Sequence, residues 1–100
     1  MALNEKDLRS QLEIIREELD KLDSRLIRLL ARRLELGLEA AGIKHALGMP
    51  VQDLAREADV IAQARLWGRE AGLSEDEVQD VIERLIALSR SAQERAAERL

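Results

Sequence analysis

Arg33 occupies a place where an apolar residue is expected, and its neighbours in type and spacing suggest chemistry. From Leu8 the apolar residues recur at alternating steps of four and three, through Leu12, Ile15, Leu19, Leu22, Leu26 and Leu29. After Arg33 the series resumes at Leu36, Ala40, Ile43 and Leu47. This is a heptad seam on one long helix. A cation carried into a poorly hydrated seam is costly unless an anion meets it there. At 100° per residue, Gly37, Ala40 and Lys44 fall within about 40° of Arg33 on one helix face. Arg33 and Lys44 stand about 16 Å apart along the axis and bracket two small residues. The hollow between them suits a small dianion. Alternatively, Lys44 reaches out to water and Arg33 pairs with a glutamate of a second chain.

Further polar residues interrupt the other apolar stripes. Asp53, Arg56 and Glu57 stand at i, i+3 and i+4, which by itself describes a surface ion-pair cluster. The phase suggests more, because Asp53, Glu57, Val60, Ala64 and Trp67 share one stripe and carry the carboxylates inward. Downstream, Ser89 lies on the stripe of Val78, Ile82, Leu85, Ala92 and Ala96, with Gln93 one turn further on. Arg16, beside Ile15, is a surface residue by default. In an intertwined dimer, however, it could reach the Arg33/Lys44 pocket of the other chain. One buried polar chamber accounts for all of these interruptions together.

Three helices must position these groups, in an all-α fold. The first is expected from about Glu5 to about Leu47, ended by Gly48-Met49-Pro50. A helix of that length spans roughly 60 Å, well beyond a compact domain of this size. Two short helices of the same chain cannot cover its seam, so an obligate, intertwined homodimer of three-helix subunits is expected. The second helix is expected from about Val51 to Ala71, with Val60, Ile61, Ala64 and Trp67 on its inner side and Gly72 as its stop. Trp67 is read as core. Ser74 and Glu77 form a capping box at the start of the third, with Glu75 and Asp76 at the positive end of its dipole. A charged, frayed tail is expected after about Gln93.

Composition narrows the function. The 100 residues contain no cysteine and one histidine, and residues 1–100 read as a single small domain. No disulfide scaffold, thiol catalysis or cysteine-ligated metal is available, and no histidine metal cluster or Ser-His-Asp triad. His45, beside Lys44 at a helix end, is read as solvent-facing. The formal net charge of −4 argues against general nucleic-acid binding. No stretch is long and apolar enough to span a membrane, and the segment from Met1 to Asp7 lacks the apolar core of a signal peptide. A cytoplasmic location is expected.

These residues, in this order, resemble the all-helical (type II) class of chorismate mutase over about Leu12 to Gln93. The matching pieces are Ile15-Arg16-Glu17 with Leu22-Asp23, then Leu29-Leu30-Ala31-Arg32-Arg33, then Lys44. Pro50-Val51-Gln52-Asp53, Arg56-Glu57, Ser89 and Gln93 complete the set. The resemblance implies an intertwined dimer that rearranges chorismate to prephenate without cofactor, metal or covalent intermediate. It also implies roles. Arg33 and the other chain's Arg16 would hold the two substrate carboxylates. Lys44 and Gln93 would donate to the ether oxygen, whose negative charge grows as the bond breaks. Glu57 and the Asp53 region would orient the ring hydroxyl, Ser89 would touch a carboxylate, and Arg56 would support the site by ion pairing or through water.

Two residues depart from the family pattern: Ala40 and Gly37 are smaller than usual. No dehydratase, dehydrogenase or regulatory domain is expected in the chain, although a partner enzyme could activate it. Neighbouring readings are an isochorismate-pyruvate lyase, a mutase acting on 4-amino-4-deoxychorismate, and a non-catalytic helical dimer. Gln93 generates a prediction, because an amide donates at any pH. The kcat should hold a broad plateau around neutral pH, and a sharp loss between mildly acidic and neutral pH would count against Gln93 as the ether donor.

Overall fold

The computed structural model describes residues 3–99. Met1 and Ala2 of the N-terminal segment, and Leu100 at the end of the tail, lie outside the described residues. The described residues form three helices: α1 (Glu5–Ala46), α2 (Leu54–Glu70) and α3 (Glu75–Glu98). The chain divides into two compact units, one ending at Arg32 and the other beginning at Arg33, and α1 contributes residues to both. Among the described residues no helix is long and apolar enough to cross a membrane.

The N-terminal unit is helical from its first turn. Asn4 Oδ1 accepts from the Asp7 amide at 2.8 Å, a side-chain cap for one of the free amides of the first turn. Glu5 and Asp7 add negative charge at the positive end of the helix, and Glu5 pairs with Arg9 at 2.7 Å. The apolar seam from Leu8 to Leu29 stays between 44% and 66% exposed. Ile14 and Ile27 are exposed as well. A lone helix gains little from propensity and needs its apolar stripe covered.

In the C-terminal unit, the last turns of α1 are followed by α2 and α3, and two glycines close the helices. Gly48 and Gly72 adopt φ values of 71° and 78°, the left-handed region that a β-carbon disfavours. Around them Met49 N donates to Lys44 O at 2.8 Å and Gly48 N to His45 O at 3.1 Å. The second closure repeats this pattern, with Leu73 N donating to Gly68 O at 2.8 Å and Gly72 N to Arg69 O at 3.1 Å. Both are Schellman closures, which satisfy the terminal carbonyls. α1 thus ends within a residue of the expected place, and exposed His45 lies in its last turn.

α2 starts later than the expected Val51. Asp53 is extended (φ −129°, ψ 94°) and its side chain accepts from the Arg56 amide at 3.0 Å. An aspartate just before a helix competes for the free amides, so it caps the helix instead of joining it. Asp53 therefore leaves the helical stripe assigned to it. At the start of α3, Ser74 Oγ accepts from the Glu77 amide at 3.3 Å, as its capping position implied. At the other end, α3 remains helical to Glu98, past the expected fraying at Gln93.

α2 and α3 pack on each other through small residues. Ala64 is only 4% exposed and Gly68 is buried with it. A β-carbon on Gly68 would stand 2.7 Å from Val78 Cγ2, so the missing side chain lets the two helices approach. The inner face of α2 therefore runs through Val60, Ile61, Ala64 and Gly68. Trp67 is turned outward and 63% exposed, contrary to its reading as core. The ring is too large for a contact this close, whereas the adjacent glycine fits it. Arg65 ties the same helices together, reaching Asp76 at 2.9 Å and Gln79 at 2.7 Å.

Gly68→Val should destabilise the protein by about 2 kcal/mol in urea unfolding, in the range of core overpacking. Combining it with Val78→Ala should cost less than the sum of the two single changes.

Candidate functional site

A cavity of about 340 Å³ opens in the C-terminal unit. The final turns of α1 place Arg33, Gly37, Ala40 and Lys44 along one wall, spaced three or four residues apart as one helix face requires. The loop before α2 and its first turns contribute Asp53, Arg56 and Glu57. α3 brings Ser89 and Gln93. Leu36, Val51, Val60 and Ile86 supply apolar surface between these polar groups. Seven of the eight polar residues selected from the sequence thus meet around one space. Arg16 is not among the lining residues; it lies in the N-terminal unit, its side chain 62% exposed and 3.6 Å from Glu13.

Hydrogen bonds hold several of these side chains in place. Lys44 is half-buried, and its Nζ donates to the Val51 carbonyl at 3.3 Å. An ammonium has three protons, so two remain for a ligand. Gln93 Nε2 donates to Gly37 O at 3.4 Å and to Ser89 Oγ at 3.3 Å. Both bonds are long, and a stronger acceptor entering the cavity could replace either of them. Glu57 accepts from Arg90 Nη2 at 2.7 Å.

Charge is distributed unevenly. Arg33, Lys44, Arg56 and Arg90 line the cavity against only two carboxylates, Asp53 and Glu57. Asp53 caps α2 and Glu57 is paired with Arg90. Among the described residues, Arg33, Lys44 and Arg56 form no ion pair. The cavity is therefore cationic although the chain as a whole carries −4. It can take a small anion of more than one charge and offer that anion directed donors. Among the described residues no group of three or more His, Cys, Asp or Glu side chains is placed to hold a metal ion.

Sequence reasoning missed Arg90. The stripe followed on α3 ran through Leu85, Ser89 and Ala92, whereas the face toward the cavity also includes Ile86, Arg90 and Gln93. The spacing of residues 86, 90 and 93 was itself a helical stripe that could have found it.

Gly37 is a second consequence of close packing. A β-carbon there would lie 2.6 Å from Ser89 Oγ, so the glycine leaves room for that hydroxyl and for the Gln93 amide. Gly37→Ala should gain about 1 kcal/mol of helix stability in a Ser89→Ala background. In the wild-type background the gain should be smaller, because the serine hydroxyl must move. Thermal melts of the four proteins check this.

Comparison with known proteins agrees with the geometry. The chain is 39% identical to a T-protein of Haemophilus influenzae over 75 residues, 75% of this chain and 20% of that protein. It is 34% identical to a T-protein of Enterobacter agglomerans over 77 residues, 77% of this chain and 21% of that protein. A chorismate mutase of Methanocaldococcus jannaschii is 32% identical over 62 residues, covering 62% of this chain and 63% of the archaeal one. The chain thus spans about a fifth of the length of the two T-proteins. Residues 15–94 match the family model described as chorismate mutase type II, and the chain belongs to that family.

Proposed function

We propose that this chain is a cytoplasmic chorismate mutase, a single mutase domain acting as an intertwined homodimer. The observation that carries the reading is the cavity itself, where Arg33, Lys44 and Arg56 gather without an ion-pair partner among the described residues. Chorismate carries two carboxylates and an enol ether. Its rearrangement breaks one carbon–oxygen bond and forms one carbon–carbon bond, with no proton transfer, so the protein needs no nucleophile or base. It has to hold a folded conformer and stabilise the oxygen on which charge accumulates.

In this reading Arg33 binds one carboxylate and Arg16 of the partner subunit the other. Lys44 and Gln93 donate to the ether oxygen, Gln93 by exchanging its long bonds to Gly37 and Ser89 for a shorter one. The Ser89 hydroxyl then contacts a carboxylate. Glu57, with the Asp53 oxygen not used in the cap, orients the ring hydroxyl, and Arg56 adds positive charge at the rim. The exposed leucine seam of α1 supports the homodimer, since an apolar stripe this continuous calls for a second copy to cover it.

The test is conversion of chorismate to prephenate by the purified protein. Arg33→Ala should lower kcat/KM by roughly three orders of magnitude, comparable to loss of a preorganised charge-stabilising donor, with circular dichroism unchanged. Arg16→Ala should be similarly impaired. Mixing the two variants under subunit exchange should restore about a quarter of wild-type activity, because half the dimers would each carry one intact site. A folded protein that forms no prephenate would sink the proposal, and no recovery on mixing would remove Arg16 from the site.

A further inference from the structure

Arg90 lines the cavity, yet the roles proposed above leave it unused. Its Nη2 donates to Glu57 Oε1 at 2.7 Å, joining α3 to α2. The two side chains are 42% and 25% exposed. A pair this accessible to water adds little to stability, so its significance lies in direction and charge. The guanidinium is planar and permanently charged, and it takes up one carboxylate oxygen of Glu57. The other oxygen stays available as an acceptor from a ligand.

The charge matters as much as the geometry. An unpaired carboxylate would accept from a hydroxyl, but it would attract an ammonium group more strongly. Beside Arg90 the charge of Glu57 is already matched, while Arg33, Lys44 and Arg56 keep the rest of the cavity positive. A ring ammonium would meet repulsion there, offset only by Asp53, whose carboxylate already accepts from an amide at the positive end of α2. A neutral hydroxyl loses nothing. We infer that Arg90 is a positioning and specificity-determining residue: it fixes Glu57 as a charge-neutralised acceptor for a ring hydroxyl and disfavours substrates that carry a ring ammonium. The inference rests on the mutase reading given above.

The test compares chorismate with 4-amino-4-deoxychorismate at neutral pH, using wild type, Arg90→Leu, Arg90→Gln and Arg90→Lys. Where turnover of the amine is too slow to follow, its Ki against chorismate is measured instead. Wild type should favour chorismate. Arg90→Leu and Arg90→Gln should raise the chorismate KM more than they lower kcat. Both should also shift the preference toward the amine by about tenfold, the scale of one partly screened charge. Arg90→Lys keeps the charge and should retain the wild-type preference. Losses in equal proportion on both substrates would overturn the inference and leave Arg90 a packing residue, as would an Arg90→Lys preference no different from that of Arg90→Leu. The two neutral variants guard against a folding defect in either. A wild type inactive on chorismate would instead remove the mutase reading, and this inference with it.

Discussion

The site depends on how closely α3 can approach its neighbours. At one end of the α2–α3 contact, Ala64 and Gly68 present almost no side chain and Val78 fills the space. At the cavity, Gly37 leaves room for Ser89 and lets Gln93 reach a main-chain carbonyl. Small residues thus set the distances at which longer polar side chains can meet. A larger group at position 68 would push α2 and α3 apart, and one at position 37 would displace the Ser89 hydroxyl and crowd the Gln93 amide. A shift of an ångström matters for directed hydrogen bonds far more than for apolar packing.

Given that packing, charge does the rest. Four cations and two carboxylates share one half-buried space, and both acids are already engaged, one as a helix cap and one in an ion pair. The remaining cations are held apart by the helices that carry them, so their mutual repulsion is met by the fold and relieved by an anionic ligand. Two of the residues that build the site come at the expense of helix packing and propensity. Arg33 replaces an apolar seam residue, and Gly37 weakens a helix otherwise rich in strong helix formers. Cost of this kind is typical of sites that are organised before the ligand arrives.

Much of this was legible in the sequence, for reasons that can be traced to particular residues. The four-three alternation marked α1, Gly48 and Gly72 marked the helix ends, and Ser74 marked the start of α3, because each reports a local constraint on backbone or solvation. Arg33, Lys44, Glu57, Ser89 and Gln93 drew attention as polar groups on apolar stripes. Arg90 escaped notice because it lies beside the stripe rather than on it. Asp53 reads from the sequence as part of the first turn of a helix that it in fact caps, since a polar residue at a boundary satisfies either reading by composition alone.

Local sequence therefore determined the number and type of helices and most of their ends, because propensity, capping and hydrophobic period act over a few residues. Tertiary structure decided the rotation of each helix about its axis. On α2 that rotation turned Gly68 inward and left Trp67 exposed, since only the smaller residue fits against Val78. On α3 it brought Arg90 to Glu57 across 33 positions of sequence. Period fixes which residues share a face to within a residue or so, but which of two adjacent side chains meets a neighbouring helix depends on the volumes on both sides of the contact. Only the packed chain contains that information.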